Sequence, residues 1–596
     1  MTAPTVSAHS GYNRFLLLVA GLGGLLYGVD VGIIASALPY LEATSGLNAG
    51  QLSFIVAAVL LGSVISTLFA GTLADAMGRK NLMSLSGVLF VVSIPMIALS
   101  HGYGALVLGR LLQGVSAGLI GVVIPLYLAE CLSKDDRGKG TGIFQWLLTL
   151  GIVTAAAIGI YFSMRVDAVA KLGDAAQLLA FKDTAWRRIF WVSLPPGVLF
   201  VIGSFLVAES PRWLHRRGKI DAARVALLRS RTAEQAELEL KEMAATAAAE
   251  QAGNADGSGG RESLLHRKYV IPFVLACIIL ACNQATGINS IIGYNTTILL
   301  QSGLSDVAAH WGYLILTSVN FLVTMAGVAL VDRKGRKFLL SLGSAGIIAS
   351  LLVVGVLFHR TERLRVDAGA AVQALVTPEQ SATLSFNPAT ADQLVASVGD
   401  AGRALAGRPT TLVVIYSYGD FRAATTVVRS GDATAKPVEI TRDSCLPPNK
   451  VVAFFSNPFA DLLAAHTAPL KIENALVTPV PSERNGWITA VFIFAFMACF
   501  AVGPGVCVWL ALSELMPTRI RSNGMSIALL INQAVSTGIA AVFLPTVGRY
   551  GYSTMFFAFA GCTVVYFVTA AFFLPETKGR TLEEIEEHFA TGGAKS

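Results

Sequence analysis

Twelve apolar runs, each long enough to cross a lipid bilayer, constrain the fold of this chain more than any other feature. A hydrocarbon core of about 30 Å needs roughly 20 apolar residues in a helix. The runs form two sets of six, at about 15–38, 52–74, 82–100, 105–129, 141–163 and 188–207, and then 270–300, 310–331, 338–358, 487–511, 523–546 and 553–574. The composition agrees, since 54% of the 596 residues are hydrophobic and only 14% are charged. We therefore predict an all-α membrane protein with twelve transmembrane helices.

The basic residues predict the orientation of these helices. Lys and Arg cluster in the short loops that follow the second, fourth, eighth and tenth runs, as the positive-inside bias requires of cytoplasmic loops. The formal charge of +7 is explained by this bias and does not indicate nucleic-acid binding. We expect a multi-pass protein of the plasma membrane, in a bacterium the inner membrane, with both termini cytoplasmic. Only the loop with Arg165, Lys171 and Lys182 runs against the bias.

Two segments of soluble composition interrupt the apolar runs. The second has β-branched, alternating stretches such as TTLVVIYSYGDF and PVEITR, which favour strands, so we predict a small α+β extracytoplasmic insertion between helices 9 and 10. The predicted organisation is an N-terminal six-helix half (1–207), a cytoplasmic linker with short helices (208–269), three helices of the C-terminal half (270–358), the inserted domain (359–486), and the last three helices with a short cytoplasmic tail (487–596).

An internal repeat relates the two sets of helices. The stretch from Asp75 to Lys80 recurs from Asp332 to Lys337, and the pair Glu130 and Arg137 recurs as Glu514 and Arg521. The two offsets, 332 − 75 = 257 and 514 − 130 = 384, differ by 127 residues, which is close to the length of the second insertion. The halves are therefore duplicates, and repeats of this kind place a transport site at their interface near the membrane midplane.

One carboxylate, Asp30 in GGLLYGVDVG, lies inside the first apolar run. An ionisable group at membrane depth is costly, normally faces the bundle interior and pairs with a partner. Arg110, in the run LVLGRLLQGVSAG, is the obvious buried partner. We interpret Asp30 as a functional group; a structural ion pair or a cap at a helix break is the alternative.

The sequence gives no sign of covalent or metal chemistry. Its seven cysteines are scattered, with no CxxC pair or zinc spacing, and the segment 359–486 has no nucleophile motif and no Gly-rich phosphate loop. We expect no metal, no cofactor and no enzymatic activity.

Several motifs occur in order at the ends of the predicted helices: GGLLYGVDVG, GTLADAMGRK, GRLLQGVSAG, PLYLAE with RGKG, ESPRWL, NQATGIN, VDRKGRK, GPGVCVW, SELMPTRIRSNG and PETKGRTLEEI. With these motifs the chain resembles the sugar porter family of the major facilitator superfamily. The resemblance implies the major facilitator fold of two six-helix repeats, a monosaccharide or polyol as substrate, a lipid bilayer as surroundings, and function as a monomer.

The resemblance also implies a substrate site. By similarity to D-xylose symporters and facilitative glucose transporters, the matching positions are Tyr27, Gln145, Asn283, Gln284, Asn289, Tyr294, Trp509 and Asn532. Amide side chains suit an uncharged sugar because they donate to and accept from hydroxyl groups, and an aromatic face covers a pyranose ring. Amides in a span can instead join helices. Asn283, Gly293, Gln533 and Ala76 depart from the family pattern, so no particular sugar is predicted.

Charged residues at the cytoplasmic helix ends are expected, as in the family, to form a gate: Asp75, Arg79, Glu130, Arg137, Glu209, Arg212, Asp332, Arg336, Glu514 and Arg521. Half-exposed pairs of this kind contribute only about 0 to 1 kcal/mol each, so they can break together as a latch. The alternative is that these charges only fix the topology.

Asp30 also bears on the mechanism, because proton-coupled relatives resemble this chain in having an acid at this position near an Arg of helix 4. We expect a proton-coupled symporter that imports a sugar by alternating access, with Asp30 as proton carrier and Arg110 as its modulator. A facilitative uniporter is the alternative. A membrane nutrient sensor is less expected, since only about twenty residues follow Pro575.

Overall fold

The computed structural model describes residues 6–132, 134–255, 267–432, 434–447, 450, 452–453, 457–516, 521–577, 584 and 589. Within these residues it has twelve helical spans that are long and apolar enough to cross a membrane. The prediction of twelve transmembrane helices is therefore confirmed. They are numbered here as spans 1 to 12.

Spans 1 to 6 form the N-terminal half. Their helices are Val6–Ser45, Ala49–Met77, Arg79–Ala98, Tyr103–Cys131 and Lys134–Ala170, followed for span 6 by Ala175–Trp191 and Leu194–Leu206. Span 6 begins at Ala175, earlier than the predicted 188, so Lys182 lies on a helix and not in a loop. Three short helices of the linker follow, at Pro211–Arg216, Ile220–Leu228 and Ala233–Ala255.

Spans 7 to 12 form the C-terminal half, and two of them are broken. Span 7 consists of Arg267–Ala285, Ile288–Gly293 and Asn295–Gln301, and span 10 consists of Glu483–Val502 and Pro504–Leu515. Spans 8, 9 and 11 are Asp306–Lys334, Arg336–Glu362 and Arg521–Tyr550, and span 12 is Tyr552–Val568 with a π-helical end at Thr569–Phe573.

The break in span 7 has a local cause. Gly287 has φ +83°, in the left-handed region that side chains rarely adopt, and a Cβ at this position would lie 2.4 Å from the Phe559 ring. The close approach of Phe559 and the backbone conformation both require glycine. Span 10 breaks where Gly503 precedes Pro504, which has no N–H for the helix. Discontinuous helices of this kind often form the substrate sites of transporters near the membrane midplane.

We expect Gly287→Ala to destabilise the protein. The left-handed φ and the displaced Phe559 ring together cost about 1 to 3 kcal/mol. The measurement is the melting temperature of the purified protein in detergent. Gly538→Ala in span 11 is the matched control, since a Cβ there meets nothing within 4 Å, and it should leave the melting temperature unchanged or raise it. Equal melting temperatures for Gly287→Ala and Gly538→Ala would contradict the conclusion that position 287 requires glycine.

A small domain with strands and short helices lies between spans 9 and 10. Its described strands are β1 (Val366–Asp367), β2 (Ala382–Leu384), β3 (Thr410–Tyr418), β4 (Phe421–Ala424), β5 (Val428–Arg429), β6 (Val438–Ile440) and β7 (Leu470–Pro479). The main sheet has the order β1-β7-β3-β4, with β5 also paired to β3, while β2 pairs with β6, and every pairing is antiparallel. The helices are Gly369–Gln373, Pro388–Ala396, Asp400–Arg403 and Leu462–Thr467. The segments TTLVVIYSYGDF and PVEITR contribute β3 and β6.

The inserted domain defines two faces of the helix bundle. It contacts the end of span 1 and the loop before span 2, where the Asn48 Nδ2 donates to the Ser444 carbonyl oxygen at 2.6 Å. We call this side the domain face. The opposite side, which carries the linker helices and the turns at Gly78 and Gly335, is called the linker face.

Candidate functional site

Asp30 and Arg110 meet inside the N-terminal half. Both side chains are at most 2% exposed, and the Arg110 Nη1 lies 3.8 Å from the Asp30 Oδ1. This distance is too long for a hydrogen bond. Neither carboxylate oxygen of Asp30 has a hydrogen-bond partner among the described residues. The structure therefore brings the predicted pair together but leaves the carboxyl group unengaged.

A third residue, Gln113, holds the guanidinium away from Asp30. The Arg110 Nη1 donates to the Gln113 Oε1 at 2.7 Å, and the guanidinium lies 5.7 Å from the centre of the Phe190 ring. Gln113 was not among the predicted site residues, although it follows Arg110 by three residues and therefore shares its helix face. In this conformation Arg110 therefore donates to a neutral partner and not to the Asp30 carboxylate.

The predicted amide side chains meet in the C-terminal half, between spans 7 and 11. The Asn289 Nδ2 donates to the Gln284 Oε1 at 2.9 Å and to the Ser536 Oγ at 2.7 Å. The Gln284 Nε2 donates to the Asn532 Oδ1 at 3.2 Å, and the Asn532 Nδ2 donates to the Leu280 carbonyl oxygen at 3.0 Å. Gln284 is the centre of this chain of hydrogen bonds. Such a chain can exchange its internal bonds for bonds to hydroxyl groups.

The other predicted substrate residues lie in different surroundings. Asn283 is buried, and its Oδ1 has no partner within the described part of the chain. Tyr294 is fully buried, donates to the Ser53 Oγ of span 2 at 3.2 Å, and stacks on Phe543. Its hydroxyl group thus joins the two halves in this conformation.

Two further predicted positions lie on the N-terminal half. Tyr27 lies beside Gly121 of span 4, and Gln145 of span 5 is exposed. The neighbouring Trp146 crosses to span 8, where its Nε1 donates to the Met325 sulfur at 3.3 Å. The Asp30 carboxyl group therefore lies in one half, and the amide groups of Gln284, Asn289 and Asn532 lie in the other.

The structure does not describe the side chains of five predicted site or gate residues, which are Arg137, Asp332, Trp509, Glu514 and Arg521. Their proposed roles stay predictions.

On the linker face, the first-half gate residues form an ion-pair cluster. The Arg79 Nε lies 2.9 Å from the Glu130 Oε2, and the Arg79 Nη1 lies 2.9 Å from the Asp75 Oδ1. Arg216 lies 3.5 Å from Glu130, whereas Arg212 is exposed and forms no ion pair with any described residue. In this conformation Arg216, one helical turn after Arg212, contributes to the cluster, and the gate role of Arg212 stays a prediction.

The latch hypothesis assumed half-exposed ion pairs, and this assumption was wrong for Arg79 and Glu130. Their side chains are only 2% and 5% exposed. Breaking a buried pair by removing one partner costs about 3 to 5 kcal/mol, far more than an exposed pair. Both residues also belong to the N-terminal half, so this pair stabilises one half internally.

Glu209 caps a helix in the structure. Its Oε1 accepts hydrogen bonds from the backbone N–H groups of Arg79 at 2.9 Å and Lys80 at 3.0 Å, at the start of span 3. Glu576 does the same in the second half, where it accepts from the N–H groups of Arg336 at 3.0 Å and Lys337 at 3.2 Å. A carboxylate at a helix N-terminus is favourable because its charge complements the helix dipole.

The two caps extend the internal repeat. Each stands beside a glycine with positive φ, Gly78 at +94° and Gly335 at +86°, and a Cβ on either glycine would collide with the capping carboxylate. Glu576 was not among the residues predicted for the linker face. The signal was present, because VAESPR and LPETKG both place an acid directly after the last span of a half.

We expect Glu209→Gln and Glu576→Gln to destabilise the protein by similar amounts. An amide oxygen accepts more weakly than a carboxylate and loses the attraction to the helix dipole, so each change costs about 1 kcal/mol. Melting temperature in detergent measures the effect. Glu439→Gln is the control, since Glu439 is an exposed carboxylate on strand β6. A lower melting temperature for only one of Glu209→Gln and Glu576→Gln would contradict the equivalence of the two caps.

On the domain face, the two halves are joined by a hydrogen-bond network around Asp306. The hydroxyl groups of Tyr40 and Ser163 donate to the Asp306 Oδ2 at 2.8 and 2.6 Å. The His310 ring stacks on Tyr40 with centroids 5.6 Å apart, and its Nε2 lies 3.3 Å from the Ser36 carbonyl oxygen. We call these five residues the domain-face seam. None of these five residues was among the predicted site residues.

Within the described residues no three His, Cys, Asp or Glu side chains are grouped so as to hold a metal ion.

Comparison with known proteins identifies the family. The profile of the family described as "Sugar (and other) transporter" matches residues 16–376 and 467–589. The glucose transporter GlcP of Staphylococcus epidermidis is 25% identical over 581 residues, covering 96% of this chain and 97% of GlcP. The galactose-proton symporter of Escherichia coli K12 is 30% identical over 355 residues, covering 59% of this chain and 71% of the symporter.

A solved structure shows the same fold. The partially occluded, inward-open xylose transporter XylE of E. coli superposes with a TM-score of 0.61 over 96% of this chain and all of XylE, at 19% identity. The twelve spans thus have the major facilitator fold, and the family makes the protein a sugar transporter and not an enzyme. With its family profile, its twelve spans and these relatives in agreement, the chain belongs to the sugar porter family of the major facilitator superfamily.

Proposed function

We propose that this protein is a proton-coupled symporter that imports a monosaccharide or polyol across the plasma membrane by alternating access, as a monomer with both termini in the cytoplasm. The observation that carries the proposal is the state of Asp30. Its carboxyl group is 1% exposed, has no hydrogen-bond partner among the described residues and lies 3.8 Å from Arg110. In a static structural ion pair the two charged groups would be hydrogen-bonded to each other, because a buried charge without hydrogen-bond partners is costly.

The Asp30 carboxyl group is therefore the proton carrier. Arg110 has two alternative partners, the Asp30 carboxylate and the Gln113 amide oxygen, to which it donates in this conformation. When Arg110 bonds Gln113, Asp30 is best accommodated as the neutral acid, and when Arg110 turns to Asp30, the proton leaves. Proton binding is coupled to transport if Arg110 bonds to Asp30 in one conformation of the transporter and to Gln113 in the other.

The sugar is held mainly by the second half. Gln284, Asn289 and Asn532 offer donors and acceptors that already exchange hydrogen bonds with one another. An uncharged polyhydroxylated solute can replace these internal bonds without leaving a buried polar group unpaired. The breaks at Gly287 and Gly503 let the ends of spans 7 and 10 close over the pocket.

The conformation of the structure fits one step of this cycle. The domain-face seam is closed, since Tyr40, Ser163 and Asp306 connect spans 1, 5 and 8. With the domain face outside, as the positive-inside bias predicts, this is the conformation closed to the exterior.

The proposal is tested by uptake of labelled monosaccharides and inositol into proteoliposomes, with and without an inward proton gradient. Accumulation above equilibrium that requires the gradient is the expected result. Equilibration that ignores the gradient would instead establish a facilitative uniporter. Binding without any uptake would favour a nutrient sensor.

A further inference from the structure

The inserted domain straddles the seam between the two halves. Its chain leaves from span 9 and returns to span 10, so it is tethered to the C-terminal half alone. The Arg429 guanidinium donates to the Leu300 carbonyl oxygen at the end of span 7, and a Cβ on Gly548 of span 11 would lie 3.2 Å from the Ala424 side chain. The domain therefore rests closely on the half to which it is tethered.

Within the described residues, hydrogen bonds donated by three side chains connect the same domain to the N-terminal half. The Lys436 Nζ donates to the Thr44 carbonyl oxygen at 2.6 Å, and the Asn48 Nδ2 donates to the Ser444 carbonyl oxygen at 2.6 Å. The third contact is made by Lys182 of span 6, whose Nζ donates to the Thr434 Oγ1 at 2.6 Å. These contacts lie at the ends of spans 1, 2 and 6, around the seam.

Lys182 also forms an ion pair with the domain. Its Nζ lies 3.7 Å from the Asp432 Oδ2, and the Lys182 side chain is 14% exposed. Burial alone would raise the pKa of Asp432, but the Lys182 ammonium and the hydrogen bonds from Thr434 outweigh it and hold that pKa below its usual value. The pair is thus charged and attractive. It also gives a role to a lysine that departs from the positive-inside bias.

We propose that the inserted domain is a lid that keeps the domain-face seam closed by binding to the N-terminal half at Lys182, Thr44 and Asn48. This inference rests on the proposed function only in requiring that the two halves move apart on this face. Because the domain is tethered to the C-terminal half, that movement breaks all three contacts. The contacts therefore shift the equilibrium toward the conformation that is closed on the domain face.

The chamber beneath the lid supports this arrangement. A cavity of about 1060 Å³ lies between the domain and the bundle, and Tyr40 and Asp306 of the seam are among its lining residues. A solute that reaches the seam from this face either passes through this cavity or enters after the inserted domain has moved away from the seam.

The test places a reporter in the seam. Ser36 is fully buried there, so a cysteine in Ser36→Cys reacts with a maleimide only when the seam opens. We expect Lys182→Met, which keeps the aliphatic stem and loses the ammonium, to raise the labelling rate of this cysteine in nanodiscs about three- to tenfold. Asp432→Asn should act in the same direction, and the double variant should add little to either. Protein without the added cysteine gives the background from native thiols.

Lys171→Met is the matched control. Lys171 follows span 5 on the same face, is 75% exposed and pairs with Asp167 of its own segment. The lid proposal would be contradicted if Lys182→Met did not raise the labelling rate of the Ser36→Cys cysteine. It would also be contradicted if Lys171→Met raised that rate as much as Lys182→Met does.

A converse experiment fixes the lid in place. Cysteines in Thr44→Cys and Lys436→Cys, joined by a reducible bis-methanethiosulfonate cross-linker about as long as the lysine side chain that now spans this gap, should abolish seam labelling, and a reductant should restore it. Labelling that persists in the cross-linked protein would contradict the proposal. Sugar-dependent labelling of the seam in otherwise unmodified protein tests the proposed function separately, so the two failures are distinguishable.

Discussion

Replacing Asp30 by Asn is expected to abolish proton-driven sugar accumulation while leaving sugar exchange intact. Asparagine has nearly the shape of the protonated acid but cannot release a proton, so the transporter can change conformation without coupling. The fold should tolerate the change, because neither oxygen of Asp30 accepts a hydrogen bond from a described residue. The measurement is uptake into proteoliposomes with and without an inward proton gradient, together with counterflow exchange at equal pH on both sides.

The control for this variant is Asp167→Asn on span 5. Asp167 is a carboxylate at the surface, paired with Lys171, and its loss should leave accumulation at the level of the unmodified protein. Gradient-dependent accumulation by Asp30→Asn would show that the proton binds elsewhere. A loss of both accumulation and exchange in a well-folded variant would assign Asp30 to the conformational change itself.

The helices were predictable from the sequence because the length of an apolar run is a local property. Span 6 shows where that approach fails. Its first turns carry Lys182 and Arg187, which interrupt the apolar run, so the prediction began the span at about 188 and placed Lys182 in a loop. In the structure Lys182 contacts the inserted domain, and the Arg187 Nη1 donates to the carbonyl oxygens of Ala98 and Ser100. Partners so distant in sequence leave no trace in hydropathy.

The candidate site was predictable to the extent that its residues lie in recognisable motifs. Asp30, Arg110 and Gln284 were identified because charged and amide groups are rare in apolar runs, and the structure brings each to a polar neighbour. Asp306 and His310 were missed because they lie at the end of a span, where polar residues are ordinary. Only the packing of span 8 against spans 1 and 5 makes them a seam.

Gln284→Ala is expected to raise the Michaelis constant for sugar uptake about 10- to 100-fold, with a smaller effect on the maximal rate. Gln284 lies between Asn289 and Asn532 and is hydrogen-bonded to both, so its loss removes two groups that can bind hydroxyls and frees its neighbours to turn away. The measurement uses whichever labelled sugar the unmodified protein takes up fastest.

Asn81→Ala is the matched control for this variant. Asn81 is an exposed amide at the linker face, where its Nδ2 donates to the Met77 carbonyl oxygen at 2.9 Å. Its removal should change the Michaelis constant by less than twofold. If Gln284→Ala behaved in the same way, the amides of spans 7 and 11 would only join helices, and the sugar would have to be bound by the N-terminal half. A selective rise for Gln284→Ala, with melting temperature preserved, would place the sugar against the broken span 7, opposite the half that contains Asp30.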